Sequence, residues 1–128
     1  MTEQDARQLA DIVRQTAFDA HRFLRHGHNE KVYENSLRNR LRKLGFKVDQ
    51  QIAINVYDED DSLLGEFFAD LVINDELILE LKACRALHDE HTAQVLGYLR
   101  ASRLEHAMLI NFGAPKIEVR KFIFRNQD

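Results

Sequence analysis

The stretches FFADLVI at residues 67–73 and LILELKA at residues 77–83 decide the fold. Both are apolar almost throughout, which is typical of strands that are covered on both faces of a sheet. Only the three polar residues 74–76 separate them, so the two stretches predict adjacent strands joined by a tight turn. The remaining elements are predicted from the segments on either side of this hairpin.

Two helices are predicted before the hairpin and one after it. The first covers residues 3–24, with Thr2 as its N-cap. Asn29 is positioned to cap the second, which Gly45 would end because a left-handed residue is favoured there. The third covers residues 88–102. The apolar stripes are Leu9, Ile12, Val13, Ala17, Ala20 and Leu24 in the first helix, and Tyr33, Leu37, Leu41 and Leu44 in the second.

Three further strands are predicted over residues 47–57, 108–112 and 117–124. The predicted order is α-α-β-β-β-α-β-β, which indicates an α+β fold, a sheet with helices packed on it. A chain of 128 residues has room for one core of useful size. We therefore expect a single domain over residues 1–128, with an additional N-terminal helix at about 3–24.

The composition, 45% hydrophobic and 30% charged residues, is typical of a soluble globular domain. A single cysteine, Cys84, excludes an internal disulfide and a multi-cysteine zinc site. No apolar run approaches the roughly 20 residues that span a bilayer. The first ten residues lack the basic start and apolar stretch of a secretion signal. We therefore expect a cytoplasmic protein with no membrane partner.

The net charge of −3 disfavours a protein that coats nucleic acid by bulk charge alone. The charges are, however, segregated along the chain. Residues 21–47 carry 8 basic and 2 acidic groups, whereas residues 48–80 carry 10 acidic and no basic groups. Such blocks are either solvated faces or a basic helix set against an acidic site. The second interpretation suits a phosphate polymer bound beside a metal ion.

Three ionisable residues, Asp70, Glu80 and Lys82, interrupt the two apolar strands. A buried charge is costly unless it is paired or bound to a metal. Because strand side chains alternate, Glu80 and Lys82 share a face, and Asp70 joins them if the turn at 74–76 pairs it with Glu80. We predict this register. Two converging carboxylates fit Mg²⁺ or Mn²⁺, with the lysine beside the attacking water; the alternative is a Glu80–Lys82 ion pair on a solvated face.

Gln94 and Tyr98 are four residues apart and therefore share one face of the third helix. Both can hydrogen-bond phosphate, and Tyr98 can also stack on a base or sugar. The alternative is a surface glutamine and a tyrosine at the rim of the core. Glu30, at the start of the second helix, would supply a further carboxylate to the metal through water, or would simply be favourable at a helix N-terminus.

Five other residues carry weaker signals. His88 and His91 have a spacing that allows metal binding, but no carboxylate or cysteine pair stands at zinc spacing. Cys84 is expected to be a small core residue. His26 and His28 are expected to be exposed. The sequence has no Gly-rich phosphate loop, which disfavours ATP hydrolysis.

Residues 27–33, GHNEKVY, match the pattern Gly-x-x-Glu-x-x-Tyr of the GxxExxY protein family, which this chain resembles. The resemblance covers about residues 23–124 and includes ELKA at 80–83, AQVLGYL at 93–99 and LINFG at 109–113. That family is similar in pattern to the PD-(D/E)XK nuclease superfamily, whose core is a restriction-endonuclease-like mixed sheet flanked by helices.

By this resemblance Asp70, Glu80 and Lys82 would be the catalytic residues of a nuclease, with Glu30 as the helix carboxylate. Asp70 and Glu80 would bind Mg²⁺ or Mn²⁺ together with the backbone carbonyl of Leu81, and Glu30 would complete the set of ligands. The implied activity is metal-dependent hydrolysis of nucleic acid, with DNA favoured over RNA.

Gln94 and Tyr98 would correspond to the Gln-x-x-x-Tyr motif of recombination-type exonucleases and hold the strand. The basic residues expected to attract its backbone are Arg38, Arg42 and Lys43, with Arg22 and Arg25 beside them. So few phosphate contacts predict weak, salt-sensitive binding, and a homodimer or a partner protein is expected to add contacts. The alternative is a catalytically silent module of the same fold that binds nucleic acid or assembles with proteins.

Overall fold

A computed structural model describes residues 1–125 of the chain. Over these residues three α-helices and five β-strands follow one another in the predicted order. The elements are α1 (Glu3–Leu24), α2 (Glu30–Lys43), β1 (Val48–Tyr57), β2 (Leu63–Ile73), β3 (Leu77–Lys82), α3 (Asp89–Ser102), β4 (His106–Asn111) and β5 (Glu118–Ile123). None of the helices in this part of the chain is both long enough and apolar enough to cross a lipid bilayer.

The strands form one mixed sheet in the order β1-β2-β3-β4-β5. β3 and β4 are parallel, with α3 in the connection between them, and all other neighbours are antiparallel. Ile73 of β2 lies opposite Leu77 of β3, so the turn consists of residues 74–76, as predicted. Continued to the next polar position, the same register sets Asp70 opposite Glu80.

Helices cover both faces of the sheet, which explains why β2 and β3 are apolar almost throughout. On one face α1 and α2 pack over buried side chains that include Leu71 and Leu79. On the other face α3 packs over Val72 and Ile78. Because strand side chains alternate, Glu80 lies on the same face as Ile78, the face covered by α3. The prediction of an α+β fold with helices on both faces of the sheet is confirmed.

The helix ends follow the predicted signals with one exception. Thr2 caps α1, since its hydroxyl accepts from the Asp5 backbone N–H at 3.0 Å while the Asp5 carboxylate accepts from the Thr2 backbone N–H. Gly45 follows α2 with a φ of 97°, as expected of a residue that ends a helix. Asn29 occupies the predicted N-cap position of α2, but its side chain makes no capping hydrogen bond.

Two residues of the predicted apolar stripes and one strand boundary differ from the sequence prediction. Ile12 is exposed because its neighbour Val13, about 100° further around the helix, takes the buried position. Leu44 is 59% exposed because it lies just beyond the end of α2. β4 begins at His106, two residues earlier than predicted, since His106 pairs with Leu77 at the start of β3.

Candidate active site

The carboxylates of Asp70 and Glu80 meet on the β2–β3 hairpin. Both side chains are buried, with 8% and 4% of their surface exposed. The backbone N–H of Asp70 donates to Glu80 Oε1 at 3.1 Å, and the backbone N–H of Leu81 donates to Asp70 Oδ2 at 2.8 Å. The structure thus brings together the two residues that the predicted register pairs.

The pKa values of both buried carboxyl groups are raised. Burial, and after it the negative charge of Asp70, raises the pKa of Glu80 to about 8. Burial also raises the pKa of Asp70, although hydrogen bonds from Leu81 and Gln51 oppose the shift. Glu80 therefore keeps its proton at neutral pH, and a cation that binds here has to displace that proton.

Lys82 lies two residues beyond Glu80 on β3. Its Nζ donates to Oε1 of Gln94 on α3 at 3.2 Å. Its positive charge opposes the rise in the pKa of Asp70, of Glu80 and of Glu30, so the ammonium group lies within electrostatic reach of all three carboxylates. The alternative of a Glu80–Lys82 ion pair on a solvated face is wrong, because Glu80 is buried.

Tyr98 presents its hydroxyl group, not its ring, to this site. The ring stacks on Phe67 with 3.8 Å between centroids, and only 9% of the residue is exposed. Burial, and then the charges of Glu80 and Asp70, raise the pKa of Tyr98 to about 12. The hydroxyl is therefore a hydrogen-bond donor near the carboxylates. The expectation that the Tyr98 ring stacks on a base is corrected, since Phe67 occupies that position.

The first two turns of α2 bring two more carboxylates towards the hairpin. Glu30 is exposed, and partial desolvation followed by the charge of Asp70 raises its pKa. Glu34, one turn further on, is 2% exposed and was missed by the sequence analysis. Its spacing of three residues to Leu37 was a signal that it belongs to the buried stripe of α2.

Gln51 of β1 connects Glu34 to Asp70 and was also missed. Its Nε2 donates to Glu34 Oε1 at 3.0 Å and, more weakly, to Asp70 Oδ1 at 3.3 Å. Its φ of 51° lies in the left-handed region, which is rare inside a strand. Three consecutive polar residues at 49–51 interrupt the alternation of β1, and this was the available signal.

Tyr33 fixes the loop that precedes α2. Its hydroxyl donates to the backbone carbonyl of Arg25 at 2.5 Å and accepts from the backbone N–H of His28 at 3.2 Å. Its ring stacks on Phe112, with centroids 4.7 Å apart. Gly27 in this loop has a φ of 115°, a conformation that favours glycine. The glycine and tyrosine of the Gly-x-x-Glu-x-x-Tyr pattern thus position the start of α2, where Glu30 lies.

Asn111 and Gly113 fix the loop that follows Lys82. The buried Asn111 side chain accepts from the backbone N–H of Cys84 at 3.0 Å and donates to its carbonyl at 2.9 Å. A Cβ at Gly113 would lie 2.2 Å from the Cys84 backbone nitrogen, so only glycine fits. Phe112 N–H donates to the Lys82 carbonyl at 2.8 Å. These contacts hold the end of β3 at the site.

The basic residues predicted on α2 do not share one face. The Arg42 guanidinium donates twice to the backbone carbonyl of Val48, at 2.6 and 3.2 Å, and Arg38 donates to the side chain of Gln50. These two residues bind the start of β1. Lys43 instead lines a cavity between α1 and α2. The predicted basic face is therefore divided.

Three of the five weaker candidates make hydrogen bonds within their own segment of the chain. The backbone N–H of His88 donates to Nδ1 of His91 at 3.1 Å, so the pair closes the first turn of α3. The Cys84 thiol donates to the backbone carbonyl of Ala86 at 3.2 Å. His26 and His28 are exposed, as expected.

The donor set fits a hard divalent cation in kind, since it consists of carboxylate oxygens with raised pKa values. Among residues 1–125, however, no three His, Cys, Asp or Glu side chains converge closely enough to hold a metal ion. The Asp70 and Glu80 carboxylates instead accept hydrogen bonds from the hairpin backbone. A cation would therefore draw Glu80 Oε1 away from the Asp70 N–H.

Comparisons with known proteins agree with the fold described above. No curated protein matches the chain. The crystal structure of SSO0001 is similar in fold, with a TM-score of 0.62 and 14% sequence identity over 76% of this chain and 50% of that chain. The matched part of this chain thus spans half the length of that chain. The family model of the PD-(D/E)XK nuclease superfamily matches residues 7–122. Since that match spans nearly all of the 128 residues, the chain belongs to the PD-(D/E)XK nuclease superfamily.

Proposed function

We propose that this chain is a metal-dependent nuclease that hydrolyses phosphodiester bonds in nucleic acid, with DNA favoured as substrate. The observation that carries the proposal is the buried Asp70–Glu80 pair with Lys82 two residues away on the same strand. Burial raises the pKa of both carboxyl groups, which supports a site that a bound cation would stabilise. Membership in the superfamily favours the same activity.

The proposed metal ligands are the carboxylates of Asp70 and Glu80, the carbonyl of Leu81 and, through water, Glu30. A bound Mg²⁺ or Mn²⁺ would polarise the phosphodiester and make a water more acidic. Lys82 Nζ would orient the attacking water and offset the charge that develops on the phosphate oxygens. The hydrogen bond from Lys82 to Gln94 supports this role, because it limits the positions of a long side chain.

The proposed contacts to the nucleic acid backbone come from several elements. Gln94 and the Tyr98 hydroxyl face the site from α3, whereas Arg22 and Arg25 are exposed at the end of α1. Arg38 and Arg42 donate hydrogen bonds to β1, whereas Lys43 is exposed at the end of α2, so of the three basic residues there Lys43 is the proposed phosphate contact. So few contacts to phosphate would bind nucleic acid weakly. This supports a homodimer or a partner protein as part of the active assembly.

The test is incubation with labelled single- and double-stranded DNA and RNA, with Mg²⁺, Mn²⁺ or EDTA. We expect metal-dependent cleavage that falls at least a hundredfold in Lys82→Ala and is retained in Lys116→Ala, a matched change at an exposed lysine. Cleavage that survives in Lys82→Ala would contradict the mechanism. Absence of cleavage by the wild-type protein on every substrate would contradict the enzyme assignment.

A second candidate is a catalytically silent module of the same fold that binds nucleic acid or a protein. It is favoured by one observation, that the Asp70 and Glu80 carboxylates are both hydrogen-bonded to the hairpin backbone. This module would bind nucleic acid equally well with EDTA and with Mn²⁺. Its thermal stability would not depend on the divalent cation.

A further inference from the structure

A cavity of about 540 Å³ lies between the β1–β2 hairpin and α3. This volume is within the range of sites for small molecules, about 300–1,000 Å³. Gln94, which accepts the hydrogen bond from Lys82, lies in its wall together with Tyr98. The cavity therefore opens beside the proposed catalytic residues.

Gly97 also lines this cavity, and the fold gives no reason for a glycine there. It lies inside α3, where glycine costs about 0.5–1 kcal/mol relative to alanine. Its φ is outside the left-handed region, and a Cβ at this position would meet no atom within 4 Å. The missing side chain thus leaves room that no part of the chain between residues 1 and 125 fills.

The walls of the cavity suit a nucleobase. Tyr57, at the end of β1, is 56% exposed and offers a ring face that a base can stack on. Asn55, its neighbour on the same face of the strand, has its Oδ1 buried without a hydrogen-bond partner. The Nδ2 of the same amide donates to the Tyr57 hydroxyl at 3.3 Å. An orphaned acceptor is costly, and an amino group of a base is the kind of donor that would satisfy it.

The two rims of the cavity carry opposite charges. Arg100 and Arg103, both exposed, belong to the end of α3, whereas Asp58 and Asp61 belong to the hairpin turn. A phosphate backbone is attracted to the α3 rim and repelled from the hairpin rim. A strand that runs along α3 would thus direct its base towards Tyr57.

We propose that this cavity binds one unpaired nucleobase of the substrate strand, which makes single strands or frayed ends the preferred substrate. The inference rests on the proposed function. A base within a duplex is stacked and paired, and it has to leave the stack before it can enter a cavity of this kind. The acidic hairpin turn also disfavours duplexes relative to single strands, because it repels the second phosphate backbone of a duplex.

The test is binding of a labelled 12-nucleotide single strand and of the matching duplex, measured by fluorescence anisotropy in EDTA. Gly97→Leu fills the cavity and should weaken single-strand binding at least tenfold, with duplex binding changed less than twofold. Gly97→Ala should raise the melting temperature. Ala93→Leu adds the same side chain at an exposed position of α3 outside the cavity and should bind like the wild type.

Tyr57→Ala is the second variant in case Gly97→Leu unfolds, with Leu64→Ala as its exposed control on β2. It should weaken single-strand binding about tenfold, by loss of one stacking contact. The cavity assignment is overturned if Gly97→Leu and Ala93→Leu bind the single strand equally well. It is also overturned if a variant weakens binding of the single strand and of the duplex by the same factor. In either case, cleavage by the wild type would still support the proposed function. A wild type that neither binds nor cleaves contradicts both.

Discussion

Asp70 donates its backbone N–H to the carboxylate of Glu80 at 3.1 Å, so the two acidic residues are joined before any cation binds. Leu81 returns a hydrogen bond of 2.8 Å to the Asp70 carboxylate. In this pair, carboxylate oxygens accept hydrogen bonds from backbone N–H groups of β2 and β3. Because burial raises the pKa of Glu80 to about 8, the stability of this pair without a metal should depend on pH.

The first prediction concerns the stability of the metal-free protein. Because the pKa of Glu80 is about 8 in the folded state and 4.5 as its ordinary value, the unfolded chain loses this proton at lower pH than the folded chain. Between these values the unfolded state binds fewer protons, so the free energy of unfolding falls as pH rises, by at most about 1.4 kcal/mol per pH unit. The shifts of Asp70 and Glu30 act in the same direction.

Glu80→Gln removes this titration and keeps an oxygen that accepts the Asp70 N–H. In EDTA the melting temperature of the variant should exceed that of the wild type by several degrees at pH 8 and differ little at pH 5. Glu66→Gln, an exposed change on β2, is the control. A constant difference between Glu80→Gln and wild type from pH 5 to pH 8 would show that Glu80 titrates normally.

The second prediction concerns metal binding. Mn²⁺ should raise the melting temperature of the wild type, by an amount equivalent to about 2.7 kcal/mol at a hundredfold excess over the dissociation constant. The rise should be larger at pH 8 than at pH 6, because at pH 6 the cation competes with the proton on Glu80. Asp70→Asn should abolish it, whereas the exposed Asp11→Asn should not. An equal rise in both variants would place the metal elsewhere.

The register of the hairpin could be predicted because it depends on features that are local in the sequence. Two apolar runs and a three-residue polar turn determine that Asp70 faces Glu80. Glu34 and Gln51 were not predicted, since they reach the site from separate elements, α2 and β1, and meet only in the folded chain. The alternation of side chains along one strand predicts the face of the sheet on which a residue lies. It does not predict which helix or strand packs over that residue. For the same reason the stacking of Tyr98 on Phe67 was not anticipated.

The third prediction tests the loop after β3. In Gly113→Ala the new Cβ would lie 2.2 Å from the Cys84 nitrogen, so backbone has to move and the packing of Asn111 is lost. We expect the free energy of unfolding to fall by about 1–3 kcal/mol. We also expect cleavage to fall by more than the loss of folded protein accounts for, because the loop holds the end of β3, where Lys82 lies. Gly65→Ala, which meets no atom within 4 Å, is the matched control. Retention of both stability and cleavage would mean that the loop does not support the site.

The fourth prediction separates the backbone of Gln51 from its side chain. Both Gln51→Gly and Gln51→Ala remove the hydrogen bonds to Glu34 and Asp70, so both should lose about 1–3 kcal/mol and reduce cleavage. Glycine, however, adopts the observed φ of 51° freely, whereas alanine does not. The midpoint of urea unfolding should therefore be higher for Gln51→Gly than for Gln51→Ala. The difference should be equivalent to about 1 kcal/mol in the free energy of unfolding.

The pair of variants also shows how the side chain acts on the site. If the Gln51 amide supports Asp70, Gln51→Gly should lose Mn²⁺-induced stabilisation along with cleavage, although its backbone is relaxed. Equal unfolding midpoints for the two variants would contradict a left-handed conformation at residue 51. A glycine variant that binds Mn²⁺ and cleaves like the wild type would show instead that Asp70 is held by Leu81 alone, since that hydrogen bond at 2.8 Å is the shorter of the two.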